Sequence, residues 1–140
     1  MKKKYKLVLV ILWMILIFIM SSFNATESNS QSSIIVNFAL TVFNIKNISL
    51  LTLVIRKLAH FSEYLVLGLL IYNYFKDCDK KIYSSILICF AYAISDEIHQ
   101  LFVSGRSFQI GDIIIDTIGA IIGILMFYLI KNKSKILKKC

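Results

Sequence analysis

An all-α integral membrane four-helix bundle is the fold this sequence predicts, and three observations carry that expectation. Hydrophobic residues fill 58% of the 140 positions and the mean hydropathy is +0.75, more apolar surface than a soluble chain of this size can hide. Those residues fall in runs close to bilayer thickness, with no proline to interrupt them. Lysines gather at the ends of the runs, as topology determinants and contacts to anionic lipid do. Nothing divides the chain into units: residues 1–140 read as a single membrane domain without linker or repeat.

The first run, Leu7 to Met20, follows Lys2, Lys3, Lys4 and Lys6, and Tyr5 and Phe23 extend it to a span over about 5–23. Ser21-Ser22-Phe23-Asn24-Ala25 fits a small-x-small cleavage site poorly, so the run is expected to remain as an anchor. A second span covers 58–75 and ends at the turn Lys76-Asp77-Cys78-Asp79-Lys80-Lys81. The third covers 82–102, and the fourth covers 110–130 ahead of a lysine-rich tail.

Residues 24–57 form the connection between the first two spans. Within it, 34–55 carries Ile34, Ile35, Phe38, Val42 and Ile45 at helical spacing, but also Asn37, Asn44, Lys46 and Asn47. That pattern predicts an interfacial helix rather than a fifth crossing. The lysine and arginine balance agrees. With four spans and both termini cytoplasmic, twelve lysines lie inside, and Lys46, Arg56, Lys57 and Arg106 lie outside. A fifth crossing would put seven inside and eight outside and bury Lys46, against the positive-inside rule. The predicted location is the cell membrane, multi-pass. Cys78 and Cys140 then face the cytoplasm and Cys89 lies within a helix, so no disulfide is expected.

Polar chemistry concentrates at the outer level. Lys57, His60 and Tyr64 share a face of the second span, with Glu63 three residues from His60. Asp96, His99 and Gln100 share a face of the third, with Glu97 alongside. Arg106 occupies the next loop, and Asp112 and Asp116 are one turn apart on the fourth span. From Ile82 the third helix rises about 21 Å before Asp96, close to the outer edge of the hydrocarbon. A lone carboxylate at mid-membrane costs roughly 2.5–3.5 kcal/mol on insertion scales, and less toward the interface. Such groups are expected to turn inward and pair with Lys57, Arg106 and the histidines. Gly68, Gly119 and Gly123 suit close helix packing, within the bundle or against a second copy.

These motifs resemble the VanZ-like family of small membrane proteins, named for a member associated with teicoplanin resistance. The matching pieces are Lys57-x-x-His60-x-x-x-Tyr64-x-x-x-Gly68, then Asp96-Glu97-x-x-Gln100-x-Phe102-Val103-x-Gly105-Arg106, then Asp112-x-x-x-Asp116-x-x-Gly119-x-x-x-Gly123. Ser21-Ser22 at the end of the first span also resembles the family pattern. The chain departs from it at Val103-Ser104-Gly105-Arg106, where the family usually has proline before the glycine. The resemblance implies a cell-envelope membrane protein affecting sensitivity to wall-targeting antibiotics.

Three functions fit these residues. The first is binding of a cell-envelope amphiphile, a lipid-linked wall precursor or a glycopeptide, through Lys57, His60, Glu63, Tyr64, Asp96, Glu97, Gln100, Arg106, Asp112 and Asp116. The second is an enzyme acting on a lipid-linked substrate, with His60, Asp96, Glu97 and His99 as candidate acid/base groups. No Gly-x-Ser-x-Gly nucleophile motif supports covalent catalysis. The third is a structural or partner-binding subunit held by a polar network. The pairs His60/Glu63 and Asp96/His99 have metal-ligand chemistry, but ion pairing with Lys57 and Arg106 accounts for the same residues, so neither metal nor cofactor is predicted. Membrane lipids are the expected surroundings. Nucleic acid is not an expected partner, because no soluble face carries the net charge of +8.

Overall fold

Leucine- and isoleucine-rich runs without proline favour helix throughout, and helix is what forms. The computed structural model describes residues 3–22, 48–75 and 81–137. Among them are four helices, α1 (Lys3–Ser21), α2 (Ile48–Tyr74), α3 (Lys81–Gln100) and α4 (Ile110–Leu137). Two stretches, Lys3–Ser21 and Ile110–Lys131, are long and apolar enough to cross a membrane. The charged residues Arg56, Lys57 and Glu63 on α2, and Asp96 and Glu97 on α3, set the other two helices apart from that simple pattern.

The element order follows the sequence reading, with one change of boundary. Helix α2 begins at Ile48 rather than near 58, so residues 48–55 of the proposed interfacial helix belong to α2. The rest of that segment, 34–47, lies outside the described residues. No helix breaker separates Ile48 from Leu58, so the helix runs on into Arg56 and Lys57.

The helices alternate up and down. Trp13 Nε1 on α1 donates to the Glu63 carbonyl on α2 at 2.9 Å, and Lys6 Nζ donates to the Asn73 carbonyl at 2.9 Å. Positions along α1 and α2 therefore run in opposite directions. Tyr92 on α3 donates to the Met14 carbonyl at 2.6 Å and His99 reaches Ser22, so α1 and α3 run the same way. Lys6 is 8% exposed. It sits over the carboxyl end of α2, where a cation offsets unpaired carbonyls.

The widest helix contact is between α2 and α4. A Cβ added at Gly68 would strike the Ala120 carbonyl, one at Gly119 the Phe61 carbonyl, and one at Gly123 the Leu65 carbonyl. Hydrogen in place of a side chain lets the two backbones touch. Tyr64, Leu67 and Ile71 fill the core with Ile17, Cys89 and Ala93. The outward faces are apolar: Leu12, Leu58, Leu87 and Leu129 are each more than half exposed.

The α3–α4 corner is made by four turn bonds, Leu101 N to Ile98 O, Phe102 N to His99 O, Val103 N to Gln100 O and Arg106 N to Val103 O. Gly105 follows at φ 74°, a left-handed backbone that glycine adopts without Cβ strain.

The packing generates a stability prediction. Gly123→Ala is expected to lower the stability of detergent-purified protein by about 1–3 kcal/mol through overpacking against backbone. Gly111→Ala, where an added Cβ meets nothing within 4 Å, should change it by less than about 0.5 kcal/mol. Thermal unfolding of the two variants side by side measures the difference.

Candidate functional site

All the polar groups singled out in the sequence lie at the end of the bundle where α1 finishes, α2 passes its second turn and α3 hands over to α4. At its rim Lys57 Nζ donates to Asp112 Oδ1 in a charge-assisted pair between α2 and α4. Asp112 lies in the first turn of α4, where a carboxylate also meets the positive end of the helix dipole. Leu53, Arg56, Lys57, His60, Gln109 and Asp112 line a cleft of about 50 Å³ beside this pair. That volume admits a water molecule or an ion, with His60 at its inner wall.

Below the rim the site closes. His60 from α2, Asp96 from α3 and Asp116 from α4 bring their nitrogen and oxygen atoms within 4.8 Å of one another. Asp96 is 3% exposed and Asp116 1%. Both Asp116 carboxylate oxygens and the Tyr64 hydroxyl are buried without a hydrogen-bond partner. Ser21 and Gln100 lie beside Asp96, and both are buried. Glu63 Oε2 stands 3.7 Å from His60 Nδ1, one turn along α2. That separation is too long for a hydrogen bond.

Arg106 leans over this end from the loop, half-buried. Burial lowers its pKa from the ordinary arginine value, and the nearby Arg56 charge lowers it further. The carboxylates of Asp96, Glu97 and Asp112 act the other way and favour the guanidinium.

Two sequence candidates take other positions. His99 turns toward α1, where its Nε2 lies 3.0 Å from Ser22 Oγ and its ring stacks on Phe18 with centroids 4.2 Å apart. On a helix, position i+3 falls about 60° to one side of position i and i+4 about 40° to the other. Gln100 therefore stays in the core with Asp96 while His99 faces the neighbouring helix. Glu97 accepts the Gln109 backbone N–H at 2.8 Å through Oε2. Its carboxylate holds the loop that leads into α4.

The structure also adds residues that spacing alone does not single out. Arg56 and Gln109 line the cleft, and Ser21 joins the buried end from α1. Only the double serine closing the first apolar run, Ser21-Ser22, gave any sign of the last. Cys89, the free cysteine among the described residues, is buried in the core away from these groups.

The architecture defines a small helical bundle, apolar on its sides, with a buried acidic and histidine cluster at one end. The chain belongs to the VanZ/LLP1 family, whose model matches residues 6–131. No curated protein and no solved structure matches it. The match covers every residue of the cluster and the glycine contact beneath it.

Removing the Glu97 carboxylate tests the loop anchor. Glu97→Ala leaves the Gln109 N–H unpaired and is expected to cost about 1–3 kcal/mol. Glu97→Gln keeps an acceptor oxygen and should recover most of that loss. Thermal unfolding combined with protease sensitivity of the 101–109 loop measures both.

Proposed function

We propose that this chain is a four-span membrane protein, both termini cytoplasmic, whose outward polar end binds the headgroup of a cell-envelope amphiphile. The observation that carries the reading is convergence: ionisable groups from α2, α3, α4 and the α3–α4 loop meet at one end, while the helix sides are covered with exposed leucine and isoleucine. A lipid tail would lie along those apolar sides and bring its headgroup level with the cleft. Arg56, Lys57 and Arg106 supply cationic groups for a phosphate or carboxylate, and arginine can grip either with two parallel hydrogen bonds. A lipid-linked wall precursor has this chemistry, as does a lipid-tailed glycopeptide such as teicoplanin. Protection against such an antibiotic is the narrowest form of the reading.

One observation favours a second reading. His60 stands among two buried carboxylates, and imidazole oriented by carboxylate is the arrangement used for proton transfer. Turnover of a lipid-linked substrate would use the same ligand position.

Two measurements check these readings. In intact cells, a membrane-impermeant thiol reagent should label Ser104→Cys, and should reach Cys78 and Cys140 only after permeabilisation. The reverse pattern would sink the orientation. Purified protein should bind lipid II or teicoplanin, and Arg106→Ala, checked for folding by gel filtration, should bind at least about tenfold more weakly, since a hydrogen bond to a charged group contributes roughly 1.5–3 kcal/mol. Equal binding by Arg106→Ala would remove the headgroup site. Release of a chemically altered lipid would favour the enzyme.

A further inference from the structure

We propose that His60, Asp96 and Asp116 together bind one divalent transition-metal ion of the zinc or manganese class. The proposal does not depend on the amphiphile reading, because it concerns two buried carboxylates and the histidine at the wall of the cleft and is tested on the protein alone. It departs from the expectation of no metal that ion pairing suggested in the sequence.

Three features of the site carry it. The ligand atoms come from three different helices and already lie within 4.8 Å of one another. Ligands held at about 2.1 Å from one tetrahedral ion are roughly 3.4 Å apart, a contraction that small side-chain rotations supply. The carboxylates are also built into the core: Asp96 and Asp116 are 3% and 1% exposed, and both Asp116 oxygens lack a hydrogen-bond partner, whereas Asp96 has the Ser21 and Gln100 donors beside it. Buried carboxylate oxygens are ordinarily satisfied, and bound metal is one of the few ways to satisfy two together.

Charge is the third feature. Two carboxylates and a neutral imidazole sum to the charge that a divalent cation cancels. Lys57 already pairs with Asp112, and the Arg106 charge acts on Glu97 and Asp112 as well as Asp96. Neither guanidinium nor ammonium can enter between two carboxylates and an imidazole as compactly as an ion does.

The donor set selects the class of ion. One nitrogen and two carboxylate oxygens suit zinc, manganese or ferrous iron, whereas calcium and magnesium prefer oxygen alone. Glu63 completes the arrangement. Its Oε2 stands 3.7 Å from His60 Nδ1, a carboxylate behind the imidazole of the kind that orients metal-bound histidines. The Tyr64 hydroxyl is likewise buried without a hydrogen-bond partner.

Metal content by mass spectrometry, measured on untagged protein in detergent, is the test. The wild type should carry about one zinc or manganese per chain, or take up one after chelation and re-addition of either ion. His60→Ala, Asp96→Asn and Asp116→Asn should each fall below roughly a tenth of that. Cobalt substitution of the wild type should give visible d–d absorption, a readout that does not require any variant to fold. Wild-type protein holding less than about a tenth of an ion per chain, both as purified and after re-addition, would overturn the proposal. So would folded variants that keep the wild-type content.

Discussion

Helices α2 and α4 can touch backbone to backbone because Gly119 and Gly123 on one and Gly68 on the other offer no Cβ at the crossing. This approach governs the geometry of the polar end. Phe61, whose carbonyl lies against Gly119, is the residue after His60, and Asp116 is about one turn before Gly119. A larger residue at position 119 would push α4 outward by a side-chain layer and separate Asp116 from His60. The glycines thus act on the site from below, through helix separation rather than through any chemistry of their own.

The third helix enters this pair through different physics. Helix α1 bridges α2 and α3 with Trp13 and Tyr92 spending their polar atoms on helix carbonyls, Glu63 O and Met14 O. Each half-buried ring then contributes apolar contact without leaving an orphan donor. Glu97 meanwhile anchors the turn between α3 and α4. Asp96, one residue earlier on the helix, is directed into the core while its neighbour holds the loop. The division of labour between adjacent acids places one carboxylate on structure and leaves the other available.

The polar end is a site of accumulated cost. Carboxylates packed among apolar side chains lose hydration that only partners can replace. The rim satisfies this with Lys57 and Asp112, and the loop with Glu97 and Gln109. The interior is matched only in part: Glu63 stands 3.7 Å from His60 and Ser21 and Gln100 flank Asp96, while both Asp116 oxygens have no hydrogen-bond partner. That contrast separates the paired acids of the rim and loop from the buried acid beneath them.

Much of the architecture was legible in the residues themselves. Four helices were legible as apolar runs, two of them long and apolar enough to cross a membrane, and the spacing of His60 with Tyr64 and of Asp112 with Asp116 places each set on a common helical face, because helical periodicity is a local property of the chain. The start of α2 at Ile48 was less legible, since polar residues just upstream mask a helix that carries no breaker. The partners were decided by tertiary structure alone. Spacing within one helix groups His99 with Asp96, yet α1 draws His99 to Ser22 and Phe18. Spacing likewise ranks Asp116 with Asp112, yet one reaches the triad and the other stops at Lys57. A sequence specifies the face a side chain occupies; which groups meet across that face depends on how closely helices distant in the chain approach, and here that distance is set by glycine against backbone.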